Sequence, residues 1–419
     1  MMRTRLSIML WTVLIGGGIV AMDGPDAKLW HQTGASNLPQ ILLRPTPKRL
    51  PEIPKDHFSP PVAHAMVLSG TFGELRPHHF HEGIDIKPKA GAGEPVYAAA
   101  DGFVARIRTM PRGFGHVVYL RHPNGFTTVY AHLKTFSPLL QTYVRSAQYA
   151  KRTYETDLFP SEIFFPVKKG ELIGHIGNTG SSSGAHLHFE IRETRTDTPL
   201  NPLLFGWAVQ DTQPPIIRSI KWYALDRNGR ELSARTVVLK KKDGFYVLPQ
   251  DSLVCQADFV GLAVEADDLT NEKKNRLGIY QLELRERGQR IFSFVFNEIS
   301  YEQTRYLNAH SDYGETQKKK WLHRCFLLPG NWLPIYGTDA RRGILPLGNG
   351  GALELECVVS DFFGNSSVAK IRLVQGKESP PTAPPATFDY PLRPQDSLRV
   401  RRPGFEAFLP SGSVYETVG

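Results

Sequence analysis

Two histidines stand one residue apart in the stretch GAHLHFE, Gly184 to Glu190. Successive side chains of a β-strand point to opposite faces. His186, His188 and Glu190 therefore share one face, and Leu187, Phe189 and Ile191 share the other. The apolar face requires a core, so the histidine face must look into a groove. Two imidazoles about 7 Å apart on one pleated face suit a metal or an acid–base pair. Partners stand elsewhere in the chain: His81 and Asp85 in FHEGIDI, and His132 in TTVYAHL. In YAHL, strand alternation puts Tyr130 and His132 on one face, with Ala131 and Leu133 on the other. Three strand-like segments thus each present an imidazole or a carboxylate opposite an apolar face.

This residue set suits metal-assisted hydrolysis. A catalytic zinc takes three protein ligands and leaves a fourth position for water. The ion lowers the pKa of that water to about 7, and a further histidine can take its proton or stabilise an oxyanion. His81, Asp85 and one member of the HLH pair can supply the ligands, leaving His132 and the other member for proton and charge work. HEGID also resembles the H-E-x-x-H helix of zincins, with Glu82 as base. That motif needs a helix, which Gly83, Ile84 and Ile86 disfavour and Pro88 soon ends. The run GNTGSSSG lacks the GK[ST] of a phosphate-binding loop. Its glycines read instead as tight turns in a groove wall.

Short glycine-punctuated strands must position these residues. From Val62 to Phe205 the segments GIDIKP, PVYAAADGFVARIRTM, GHVVYLRH, FTTVYAHL, ELIGHIG and HLHFEIR alternate or run apolar between turn residues, so residues 62–205 read as an all-β domain. Residues 135–166 interrupt it. There LLQTYVRSAQYAKRTYETDLF has helical spacing and no glycine, which predicts an inserted helix bordering the groove. DTQPP, from Asp211 to Pro215, marks a boundary. Beyond it, hairpins turning at Arg287-Gly288 and at Gly364-Asn365 predict a β-sandwich over 211–375. Residues 376–419 read as a proline-rich linker and tail, ending in a strand with nothing to pair with. No histidine–carboxylate cluster follows Asp211, which predicts that the second domain is dispensable for chemistry.

The 419 residues allow two or three domains with cores of their own. Arg3 and Arg5 precede an uncharged, mostly apolar run from Ile8 to Met22, the layout of a secretory signal. Residues 1–24 are therefore expected to direct export or to remain as an N-terminal membrane anchor, with 25–61 as a linker or arm. Cys255, Cys325 and Cys357 do not make a zinc ribbon; two could pair, or all could be buried thiols. A net charge of +9 suits an acidic polymer outside the cytoplasm, such as cell wall. Nucleic acid is not expected as a partner, since export argues against it and no helix-turn-helix or finger spacing occurs.

Together, His81-x-x-x-Asp85, Tyr130-Ala131-His132-Leu133 and Gly184-Ala185-His186-Leu187-His188-Phe189-Glu190 resemble the M23 peptidases, the LytM or lysostaphin-type endopeptidases. AAADGFV, VKKGELIG and GNTGSSSG match the family's pattern in order, and the resemblance covers about Ser69 to Arg192. It implies an antiparallel β-sheet peptidase domain with His81, Asp85 and His188 as Zn2+ ligands, and His132 and His186 flanking the bound water. It also implies cleavage of peptide bonds in bacterial peptidoglycan, in the cell envelope (periplasm or cell surface). The long 135–166 segment departs from the family's short turn. The region after Asp211 resembles bacterial immunoglobulin-like domains. The rival expectation is a non-catalytic wall-binding or amidase-activating module, since some relatives have lost ligands; this chain keeps all five positions.

Overall fold

The computed structural model describes residues 52–226, 229–271, 275–347, 351–376, 392–393, 395–402 and 405–414. The expected leader or anchor at 1–24, and the arm as far as residue 51, lie outside the described residues. The strands of the first half are β1 (Leu68–Gly70), β2 (Ile84–Ile86), β3 (Pro95–Tyr97), β4 (Gly102–Thr109), β5 (His116–Arg121) and β6 (Phe126–Ala131). There follow β7 (Thr135–Phe136), helix α1 (Pro138–Lys151), β8 (Thr156–Leu158), β9 (Pro166–Val167), β10 (Leu172–His175), β11 (Leu187–Glu193) and β12 (Thr198–Leu200). The main sheet runs β1-β2-β11-β6-β5-β4-β8, and a small sheet runs β3-β10-β7. In β11 the apolar residues Leu187, Phe189 and Ile191 are fully buried, as the alternation predicts. They share a core with Ile84, Tyr130, Val96 and Ile173.

Strand β11 lies antiparallel between β2 and β6, with His188 opposite both Asp85 and Ala131. That register brings three distant motifs to one place. The inserted helix is shorter than its pattern predicts. Arg152 takes a left-handed conformation (φ 49°), and its N–H caps the carbonyls of Gln148 and Tyr149. Residues 152–155 are irregular before β8. The described end of the arm is no free linker either. Phe58 is buried edge-on against His122, Phe126 and Phe205, and its carbonyl accepts the Trp207 indole N–H.

In the second half two further sheets face each other across one apolar core. The two predicted hairpins are present. One joins Gln281–Glu286 to Gln289–Val295 through Arg287 (φ 48°) and Gly288 (φ 80°), and the other joins Ala352–Ser360 to Ser366–Gln375. The three cysteines are free and buried. In the tail, Phe405–Leu409 pairs with Leu398–Arg402, so this last strand does find a partner. Among the described residues no helix is long and apolar enough to cross a membrane.

The two cores are laced together. The loop between β1 and β2 sends Phe72, Leu75 and Phe80 into the core of the second half. Each such side chain is worth about 1.5–3 kcal/mol when fully buried. Asn201 donates through its side chain to the Phe296 carbonyl, and its own N–H reaches the Asn297 carbonyl. At the same junction the carboxylates of Asp211, Asp268 and Asp361 lie within 4.8 Å of one another. Burial, reinforced by Asp361 and Asp211, raises the pKa of Asp268 to about 8. A pKa raised on folding contributes stability that is fully present below the unfolded value near 4 and is lost as pH rises towards 8. Asp268→Asn should therefore gain stability relative to the wild type across pH 4–8, by up to about tenfold in the unfolding equilibrium constant per pH unit. Chemical denaturation at pH 5, 6, 7 and 8 checks this, and parallel profiles for the two proteins would refute it.

Candidate active site

Three donor atoms converge at the start of β11. His81 Nε2 lies 3.0 Å from Asp85 Oδ1 and 3.0 Å from His188 Nδ1, and His188 Nδ1 lies 3.0 Å from Asp85 Oδ1. All three residues are buried. Gly83 leaves room for the bend, since a Cβ there would sit 2.8 Å from the His188 ring. Donors around a tetrahedral ion at about 2.0–2.2 Å stand about 3.4 Å apart. Two imidazoles and a carboxylate in a 3.0 Å triangle need only a slight opening to meet that requirement, so donor chemistry and spacing both fit a metal ion.

The outer side of each donor is also tied. His81 Nδ1–H donates to the Thr71 carbonyl at 2.8 Å, and Arg76 Nη2 donates to Asp85 Oδ2 at 3.1 Å. His188 Nε2 meets Glu190 Oε1 at 2.9 Å. Such contacts fix tautomer and ring orientation. Burial alone would raise the Asp85 carboxyl, but His81 and His188 hold it well below its usual range. Burial opposes the charged form of His188, yet its hydrogen bonds to Asp85 and Glu190 lift it to about 9 in the metal-free protein.

The other two predicted residues stand beside this triangle. The rings of His132 and His186 are 4.8 Å apart, and His132 is 5.9 Å from His188. His186 Nε2 reaches to 3.5 Å from Asp85 Oδ1. The glycine-serine run orients both rings: His132 Nδ1 donates to the Thr179 carbonyl and His186 Nδ1 to the Gly184 carbonyl, each at 2.8 Å. Their Nε2 atoms are left for the site. Burial, with help from His188 and His186, lowers His132 to about 4, and burial also lowers His186. Both are therefore neutral at pH 7.

One expectation fails in an informative way. Tyr130 and His132 do not share a face: Tyr130 is fully buried in the first core, and its hydroxyl accepts the Ala99 N–H. Strand β6 ends at Ala131, and His132 turns out of it at φ 60°. A non-glycine residue rarely adopts that conformation. Here the Phe114 carbonyl, accepting the His132 N–H, and the Thr179 carbonyl hold it.

Sequence reasoning also passed over the face below His188. Glu190 is wholly buried, and accepts from Arg192 Nε at 2.6 Å and from the Tyr301 hydroxyl at 2.7 Å. Burial would raise its pKa, but Arg192 and His188 bring it down to about 2. Alternation placed Glu190 on the histidine face; no signal near Tyr301 pointed to the site. Tyr301 lies in the second half, the part expected to be dispensable for chemistry, and it contacts the carboxylate behind His188. Phe114, stacked on His188 at 5.3 Å, was likewise not foreseen.

Two buried histidines and a carboxylate on an antiparallel sheet, flanked by two more histidines, are a donor set that could hold a metal ion. Residues 79–151 and 165–202 match the profile of Peptidase family M23, and this part of the chain is an M23 peptidase domain. The DD-carboxypeptidase/endopeptidase Mpg of Neisseria meningitidis is 35% identical over 129 residues, 31% of this chain and 23% of that protein. An uncharacterized metalloprotease of Haemophilus influenzae is 36% identical over 135 residues, 32% of this chain and 22% of its own. The peptidoglycan DD-endopeptidase ShyC of Vibrio cholerae is 34% identical over 110 residues, 26% of this chain and 19% of its own. The match thus spans about a quarter or less of the length of these relatives. The stretch left out of the family profile, 152–164, is narrower than the 135–166 segment read as an insert.

The glycine-serine run makes its own prediction. A Cβ on Gly177 would lie 2.2 Å from Lys134 N and 2.7 Å from the His132 carbonyl oxygen. Gly177→Ala must therefore part the segments that orient His132 and His186. It should lower stability by about 1–3 kcal/mol, the scale for overpacking, and slow any hydrolysis that depends on those two rings. Melting curves and rates measured side by side check it, and a wild-type rate would show that the close approach is immaterial.

Proposed function

We propose that this protein is a zinc-dependent metalloendopeptidase that cuts peptide bonds of bacterial cell-wall peptidoglycan, in stem or cross-link peptides. The reading rests on one observation above all. His81, Asp85 and His188 converge with donor atoms 3.0 Å apart beside two neutral imidazoles. Zinc held by these three residues would supply a Lewis acid and a water activated near neutral pH. His132 and His186, oriented by backbone carbonyls, stand ready to take and return a proton and to donate to a developing oxyanion. Asp85 and Glu190 balance the positive charge of the centre. Phe114 stacks on the His188 ring and helps to fix its orientation.

The substrate class is inferred from the similarity to M23 peptidases and from the activities for which Mpg and ShyC are named. On the same reading the protein would act in the cell envelope, and its net charge of +9 suits an acidic wall polymer. The second half reads as an immunoglobulin-like β-sandwich, an assignment supported by its two facing sheets over a common core. Substrate preference is assigned to the stretch between α1 and β9. Tyr154, Phe159, Ile163 and Phe164 there are more than half exposed, and the Tyr154 hydroxyl meets His116 Nε2 at 3.0 Å.

Zinc-loaded protein incubated with purified peptidoglycan should release peptides with new amino termini, identified by mass analysis. Full zinc with no released peptide would support the non-catalytic, amidase-activating alternative. His81→Ala, Asp85→Ala and His188→Ala should each lose zinc and activity together. His132→Ala and His186→Ala should keep most zinc and lose roughly 10²–10⁴-fold in turnover. A metal-free His186→Ala protein would reverse the assignment within the HLH pair. Replacing 152–164 with a short turn should change which peptides are released while zinc stays bound; an unchanged product profile would make that stretch a bystander.

A further inference from the structure

One short turn of the second half stands behind the metal-binding triangle. Tyr301 and Thr304 stand three residues apart there, and each contacts one of the two segments that carry a histidine donor.

The Tyr301 hydroxyl donates to Glu190 Oε1 at 2.7 Å and accepts from Arg192 Nη2 at 2.9 Å. The same Glu190 oxygen accepts from His188 Nε2 at 2.9 Å. Glu190 Oε2 is held by Arg192 Nε at 2.6 Å. Glu190 is fully buried, so its lone pairs have no solvent alternative. With Oε1 fixed between Tyr301 and His188, the His188 proton stays on Nε2. Nδ1 is then the nitrogen that would give up its proton and turn its lone pair to an ion held in the triangle. Without the tyrosine hydroxyl, Arg192 loses an acceptor, and the carboxylate is free to swing towards the guanidinium and away from His188.

Thr304 acts on the other donor. Its hydroxyl accepts the backbone N–H of Phe80 at 3.0 Å, one residue before His81. The Phe80 ring is seated in the core of the second half, against Phe296 at 5.8 Å and His310 at 5.6 Å. The loop that delivers His81 is thus fastened to the second half by backbone and side chain alike.

From this geometry we infer that the Tyr301–Thr304 turn is a positioning element of the metal centre, and that the second half is required to build it. The inference rests on the proposed metal reading and adds two residues to it, neither of which touches the ion or the substrate. A chain ending near Phe205 would lack both hydrogen bonds and expose Phe72, Leu75 and Phe80.

The test uses the full chain, with zinc affinity measured by chelator competition and site geometry by the visible spectrum of the cobalt-substituted protein. Tyr301→Phe keeps the ring and removes only the hydroxyl. It should weaken zinc binding about 10–100-fold, the range for losing a contact behind a ligand, and should alter the cobalt spectrum. Thr304→Val should weaken zinc binding in the same direction, and Thr304→Ser should restore it. Val359→Ala, in the second core on the strand Ala352–Ser360, removes none of these hydrogen bonds, so it should lower stability and leave affinity and spectrum unchanged. Wild-type affinity in both Tyr301→Phe and Thr304→Val overturns the inference, as does an equal loss in Val359→Ala. A wild-type chain that binds no zinc overturns the metal reading itself, and this inference with it.

Discussion

His188 is held between two buried carboxylates, and the rest of the site depends on that arrangement. Its Nδ1 meets Asp85 and its Nε2 meets Glu190. Taking two carboxylates and an imidazole out of water costs several kcal/mol per ion unless each is paired and hydrogen-bonded. Every remaining polar contact in the region answers that cost. Arg76 reaches Asp85, Arg192 and Tyr301 reach Glu190, and the Arg192 guanidinium lies over the Tyr301 and Tyr119 rings at 4.7 and 5.5 Å. A buried charge left without its partner would be strongly destabilising, so the pairs must form together.

Backbone register makes this affordable. Because β11 runs antiparallel to both β2 and β6, one residue number on β11 selects its neighbours on either side. His188 faces Asp85 on one and Ala131 on the other. A slip of one residue would send His188 into the core and Phe189 into the groove. The apolar face guards against that slip, since Leu187, Phe189 and Ile191 are each fully buried. Packing on one side of the strand thereby protects the chemistry on the other. The flanking histidines are controlled differently, by carbonyls of irregular backbone at Thr179 and Gly184. Loops on a rigid scaffold are the usual carriers of such groups.

The acidic junction at Asp211, Asp268 and Asp361 contrasts with this economy. No basic side chain among the described residues lies within ion-pair distance of the three, and Asp268 Oδ1 is buried without a hydrogen-bond partner. Burial therefore favours the protonated form of Asp268 instead. At the candidate site, charge is retained because partners surround it; at the junction it is given up because they do not.

Local pattern in the sequence was enough for the apolar face of β11, the two long hairpins of the second half and the five residues that meet at the site. These depend on alternation, on turn residues such as Arg287-Gly288, and on the spacing of histidines and a carboxylate, all readable within a few positions. The resemblance to M23 peptidases then divided the five into ligands and flanking residues. Only the tertiary structure decided three other matters. Helix α1 stops at Lys151 because Arg152 adopts a left-handed conformation, which helical spacing does not reveal. His132 leaves the face that strand alternation assigns it because carbonyls from neighbouring loops hold it at φ 60°. Tyr301 meets Glu190 across 111 residues of chain. Periodicity reports which face a side chain takes within its own element, whereas that contact is created by two elements packing against each other, and no local pattern encodes it.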